Sequence, residues 1–110
     1  MRRLVLLLAF VLVAGPAAAE KLPVVASFSI LADVVKAVGS DRIELHTLVG
    51  PDRDAHIYQP TPGDSRVVAQ AKVVVMNGLG FEGWIERLIQ ASGTKAQVVV
   101  ATTGIRNRQM

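Results

Sequence analysis

The sequence predicts an α/β fold, a parallel four-stranded sheet flanked by helices. Three observations carry this. Four short runs rich in valine, isoleucine and leucine recur along the chain, segments of helical spacing separate them, and glycine or proline marks the joins. Strands alternating with helices pair in parallel, because a helical crossover returns the chain to the end of the sheet where the previous strand began. No internal repeat and no low-complexity segment interrupts this order.

Val24 to Phe28, after Pro23, is a β-branched run and reads as a buried first strand. Ser29 is expected to cap the next helix, in which Ile30, Leu31, Val34, Val35 and Val38 recur at helical spacing until Gly39 stops the pattern. From Ile43 to Val49 the side chains alternate. Ile43, Leu45, Thr47 and Val49 share one face, and Glu44, His46 and Leu48 the other, so this is a second strand. Gly50 to Gly63 contains Pro51, Pro60 and Pro62 and reads as a loop. Asp64 is expected to cap a short helix that runs to about Ala71. Lys72 to Met76 is continuously apolar after its lysine, as in a strand covered on both faces. Phe81 to Ala91 is expected to be helical, with Trp84, Ile85, Leu88 and Ile89 on one side and Ser92-Gly93 at its end. Gln97 to Ala101 is the fourth strand. Thr102 to Met110 offers no helix to cover it, which fits either an edge strand with a frayed tail or a chain cut short of its natural length; truncation is the expectation.

The apolar content is concentrated at the start. Arg2 and Arg3 precede an apolar run from Leu4 to Ala14, and Ala17-Ala18-Ala19 follows Gly15-Pro16. This is the pattern of a secretory signal peptide over residues 1–19, with Ala17 and Ala19 placing the cut before Glu20. At ~1.5 Å per residue, the run is far too short for a ~30 Å hydrocarbon layer. A lipid anchor would need an acceptor cysteine, and the chain has none. The expected product is a soluble, exported domain over residues 20–110.

Composition excludes several classes of function. Without cysteine there is no disulfide scaffold, thiolate zinc site, iron–sulfur cluster or cysteine nucleophile. Aromatic residues make up 5% of the 110, too few for a nucleic-acid stacking platform. Of the 12 basic side chains, Arg2 and Arg3 leave with the leader, so 10 face 9 acidic ones and no basic surface for nucleic acid remains.

Two constellations could carry chemistry. Gly78-Leu79-Gly80-Phe81-Glu82-Gly83 matches G-x-G-x-x-G between a strand and a helix. A dinucleotide site also needs an acidic residue ~20 positions on, for the ribose hydroxyls. Valines stand there, and no acid follows Glu86. The motif is therefore read as a tight strand-to-helix turn, with no nucleotide. The second constellation is the loop Gly50 to Pro62. It places His56 beyond the carboxyl end of the second strand, the edge where open α/β sheets bind ligands. Prolines stiffen the loop, so ordering an imidazole there costs less. Asp52 and Asp54 are close enough in sequence to orient that ring or raise its basicity. His56 is thus a candidate metal ligand, although a lone loop histidine also fits a plain surface residue. His46, beside Glu44, reads as a solvated strand residue. Glu82 and Glu86, one helical turn apart, read as a solvated helix face. Ser27, Ser29 and Ser65 lack the surroundings of a nucleophile.

Several stretches together carry a family resemblance. They are Val25 to Asp33, Leu48 to Asp52, the segment Asp54-Ala55-His56-Ile57-Tyr58-Gln59-Pro60-Thr61-Pro62, Val74 to Trp84, and Val98 to Ile105. In these the chain resembles the periplasmic zinc-binding proteins of ABC transporters, in the metal-binding cluster that also holds manganese binders. The resemblance implies that residues 20–110 are the amino-terminal lobe of a two-lobe protein, with metal held between the lobes. It implies His56 as the first metal ligand and zinc as cargo, with manganese the rival. A membrane permease is the implied partner, the protein is a monomer, and no bond chemistry occurs, so it is not an enzyme. Family members are longer, and their other ligands, further histidines and a carboxylate, lie beyond residue 110. One imidazole alone is then a weak zinc site, because coordination by several ligands supplies most of the affinity. An exported enzyme would need a nucleophile–base pair or a complete cofactor loop, and an adhesion module an exposed sticky stripe. The sequence displays none of these.

Overall fold

The computed structural model describes residues 20–106 and 108. The expected leader, residues 1–19, lies outside the described residues. The chain forms β1 (Leu22–Phe28), α1 (Ser29–Gly39), a 3-10 turn (Ser40–Arg42), β2 (Ile43–Val49), α2 (Pro62–Gln70), β3 (Val73–Met76), α3 (Ile85–Ser92) and β4 (Gln97–Val100). The strands form one parallel sheet in the order β2-β1-β3-β4, as the alternation predicted. β1 is central, pairing Leu22 with Ile43 through Phe28 with Val49 on one side and Val24 with Val73 on the other. The order reverses between β1 and β3, so their carboxyl ends open a crevice where ligands bind in such sheets.

The period-2 alternation of each strand divides the core between two faces. Val25, Leu48, Val74 and Met76 pack beneath α2 and α3 with Val68, Ile85 and Leu88. Val24 and Val75 pack beneath α1 with Leu31, and Val35, Ile43, Leu45 and Val73 border them. The apolar positions of α1 are not all inward. Ile30, Val34 and Val38 recur every fourth residue on its outer side and are exposed.

Three local expectations are corrected. Ser29 is the first residue of α1 rather than its cap; Phe28 holds the cap position and no side chain caps the helix. Thr61, not Asp64, caps α2. The Asp64 amide donates to Thr61 Oγ1 at 3.2 Å and the Thr61 amide to Asp64 Oδ2 at 2.9 Å, a reciprocal capping box with Pro62 opening the helix. The third helix begins at Ile85, not Phe81. The preceding backbone is left-handed at Gly78 (φ 84°), Leu79 (57°) and Gly80 (75°), which no α-helix accommodates. Gly78 also sits where a Cβ would run into Val100 and Thr102, so close packing calls for glycine there, whereas Gly80 and Gly83 have open space around them. Among the described residues β4 is an edge strand whose four residues are all exposed. After it Ala101 and Thr102 follow the end of β3, with Ala101 N–H donating to the Met76 carbonyl at 2.8 Å and Thr102 Oγ1 to the Asn77 carbonyl at 2.6 Å. No helix among the described residues is long and apolar enough to cross a membrane.

Candidate metal centre

The loop after β2 is not held by its prolines alone. Ala55 is buried in the α2–α3 face of the core, and its carbonyl accepts the Trp84 indole N–H at 2.5 Å. Tyr58 meets the Trp84 ring edge-on at 5.1 Å and donates its hydroxyl to Asp64 Oδ2 at 2.6 Å. Arg53 lies 5.2 Å from the Tyr58 ring centroid, within cation–π range. These contacts raise the Tyr58 phenol above its ordinary value. The main cause is the hydrogen bond to Asp64, which needs the proton; burial and the Asp64 charge add to it, and Arg53 opposes them. The chain's one tyrosine and one tryptophan thus act as the loop's anchors. Sequence reading had placed Trp84 only on a helix face and had given Tyr58 no role. Their closeness to His56 and to the next strand–helix joint was the available signal.

Between these anchors, His56 is presented outward. Its side chain is 60% exposed, and the ring sits edge-on against Phe81 at 4.5 Å. Phe81 in turn packs on Phe28, at the end of β1, at 4.9 Å. Asp54 Oδ1 accepts the His56 backbone N–H at 2.8 Å and lies 3.7 Å from ring Nδ1. At that separation it is an electrostatic neighbour rather than a hydrogen-bond partner of the ring. The hydrogen bond of Asp54 goes to the backbone of His56 and not to its ring. Asp52 is exposed, and among the described residues no hydrogen bond joins it to His56. His46 is exposed in mid-β2, in a groove with Glu44, Val67 and Gln70, away from the loop. Among the described residues no group of three or more His, Cys, Asp or Glu converges to hold a metal.

Glu82 departs most from its expected place. It is 3% exposed, and its carboxylate accepts the Ser27 hydroxyl and the backbone N–H groups of Asn77 (2.6 Å) and Gly78 (3.1 Å). The solvated pair with Glu86 does not form, because Glu82 lies in the turn ahead of α3 and points into the crevice between β1 and β3.

Residues 24–109 match the profile of ZnuA, the periplasmic zinc-uptake complex component A. The chain belongs to this family. The family is a metal-binding transport component located outside the cytoplasm, and not an enzyme. The chain is 37% identical over 84 residues to the manganese-binding lipoprotein MntA of Halalkalibacterium halodurans, covering 76% of this chain and 28% of the relative. It is 39% identical over 75 residues to the manganese ABC transporter substrate-binding lipoprotein PsaA of Streptococcus pneumoniae, covering 64% and 24%. Its fold superposes on the manganese-bound periplasmic metal-binding protein of Candidatus Liberibacter asiaticus with a TM-score of 0.73 and 28% identity, covering 81% of this chain and 33% of that one. The chain thus spans a quarter to a third of the length of these relatives.

Proposed function

We propose that residues 20–110 are the amino-terminal lobe of an extracytoplasmic solute-binding protein that captures zinc for an ABC transporter permease. His56 is its metal ligand, and residues 1–19 are removed before Glu20. The observation that carries this reading is the exposed imidazole on a loop anchored at Ala55 and Tyr58, beside the crevice between β1 and β3. Membership of a zinc-uptake family supports the cargo. A set of imidazoles would suit zinc and a set of carboxylates or waters manganese, and the one imidazole of this chain belongs to either. The family's transport role supports a membrane permease as the partner. One ligand binds weakly, so the lobe alone is a first contact rather than a closed site.

Zinc titration of the chain beside His56→Ala, followed on the histidine ring resonances, tests this. We expect binding to weaken by about tenfold or more on loss of the ligand, in line with what removing a metal-orienting group costs. Equal binding by both chains removes His56 from the ligand set. Two of the relatives, MntA and PsaA, are manganese-binding lipoproteins, which favours a manganese reading. Manganese binding at least as tight as zinc, lost in the same variant, would establish it against the usual affinity order.

A further inference from the structure

We infer that Glu82 is a positioning residue for metal capture, acting on His56 through Phe81 and Trp84. The inference rests on His56 being the metal ligand. Its own content is mechanical: a buried carboxylate in the crevice sets the direction of the imidazole above it.

Glu82 joins three parts of the chain that are distant in sequence or in conformation. Its Oε2 accepts Ser27 Oγ from the end of β1 and the Asn77 amide from the end of β3, and its Oε1 accepts the Gly78 amide. Two adjacent strand ends are thereby tied to one side chain of the turn between β3 and α3. That turn is strained. Gly78, Leu79 and Gly80 are all left-handed, and Leu79 has a Cβ to accommodate. A backbone in such a state persists only if its surroundings over-determine it. Here the Glu82 carboxylate takes the amides of Asn77 and Gly78 at the start of the turn. The hydrogen bonds are charge-assisted and lie out of water, so they are stronger than neutral ones.

The residues flanking Glu82 hold the metal loop. Phe81, one position before, carries the His56 ring at 4.5 Å. Trp84, two positions after, holds the Ala55 carbonyl, next to His56 in the chain. Both supports lie on a turn that two side-chain contacts tie to β1, the Ser27–Glu82 hydrogen bond and the packing of Phe81 on Phe28. A change at Glu82 tilts Phe81 and Trp84 together, and the imidazole with them. The glycine motif gains a purpose on this account: its left-handed bend brings Glu82 back beneath the strand ends.

The test uses the full chain with Glu82→Gln and Ser27→Ala, and His56→Ala to assign the ring resonances. The Gln variant keeps the size of the side chain but turns one acceptor oxygen into a donor facing buried donors. The expected result without metal is retained sheet amide signals, with displaced His56 ring and Trp84 indole N–H resonances. Zinc affinity should then fall by about tenfold, the lower end of what losing a ligand's supporting group costs. Ser27→Ala should move the same resonances in the same direction by less. If Glu82→Gln does not fold, Ser27→Ala decides alone. A folded variant with the His56 and Trp84 resonances unmoved overturns the inference. Should His56→Ala bind zinc as well as the parent chain, the metal reading fails, yet the metal-free resonances still decide whether Glu82 positions the ring.

Discussion

Between β2 and α2 the chain is polar and proline-rich, yet it is pinned at Ala55, Tyr58 and Thr61; along β4 it is an unbroken run of valines, yet it lies bare. Composition alone would have ranked the two the other way. The loop is fixed by a few long-range contacts: an indole donor to a buried carbonyl, a phenol on a carboxylate and an imidazole against a phenyl ring. β4 has hydrogen bonds to β3 on one side only, and no described element crosses its valines. An apolar run does not create its own cover. Whether a strand is buried depends on what the chain next packs against it, and β4 is followed by a turn that hugs β3.

The largest effect should come from removing the floor on which the loop rests. Ile85 is fully buried in the cluster that also contains Ala55, Val68 and Leu88. Ile85→Ala is expected to cost about 2–5 kcal/mol in urea denaturation, from lost burial and the cavity left behind. It should also change the emission of Trp84, the chain's one tryptophan, which is the residue before it. A cost below about 1 kcal/mol would mean that this core does not hold the loop. Next in size is Trp84→Phe, which keeps the ring but removes the donor to the Ala55 carbonyl. Leaving that buried acceptor unpaired should cost about 1–3 kcal/mol. Cleavage within residues 50–61 by added protease should rise with it, while β4 is unaffected.

Much of this contrast was hidden in the sequence, for identifiable reasons. The strands and α1 were legible because period-2 and helical spacings are local, and His56 was legible as an exposed residue past a strand's carboxyl end. Thr61 and Asp64 share the α2 cap reciprocally, and the acidic partner drew attention from the threonine. The start of α3 was misread because Phe81 to Trp84 has an acceptable helical pattern, and the left-handed backbone from Gly78 to Gly80 overrides it. Glu82 could not be read at all. Its partner Ser27 is 55 positions away, and spacing on the Glu82–Glu86 segment suggests only a wet helix face. The loop's anchors were similarly non-local, since Ala55 and Trp84 are 29 positions apart.

A smaller effect separates the loop by its pH dependence. The protonated Tyr58 phenol is the form that donates to Asp64, so folding raises its pKa above the ordinary value of 10.0. The stability it contributes is full below pH 10.0 and is lost as pH rises through the higher folded-state midpoint. With one tyrosine in the chain, phenolate absorbance reports it directly. The native midpoint should lie above 10.0 and move back toward it in Asp64→Ala, where the leading cause of the shift is gone. A native midpoint at or below that of the urea-unfolded chain would show that the hydrogen bond does not hold the loop in solution.

The smallest effect belongs to β4, and it sharpens the comparison because one substitution can be made on both sides of a single register pair. Val75 and Val99 are opposite each other in adjacent strands, so their side chains share the α1 face of the sheet. Val75 is 9% exposed and Val99 39%. Val→Thr conserves shape and replaces a methyl with a hydroxyl. At Val75 the hydroxyl enters a dry position without a partner, a cost of about 1–3 kcal/mol. At Val99 water reaches the new group, and the change should stay within about 0.5 kcal/mol. Solubility should rise in Val99→Thr, because an apolar edge strand is a template for pairing with a second chain. Equal costs at the two sites would mean that β4 is covered in solution after all, and the distinction between a pinned loop and a bare strand would be lost.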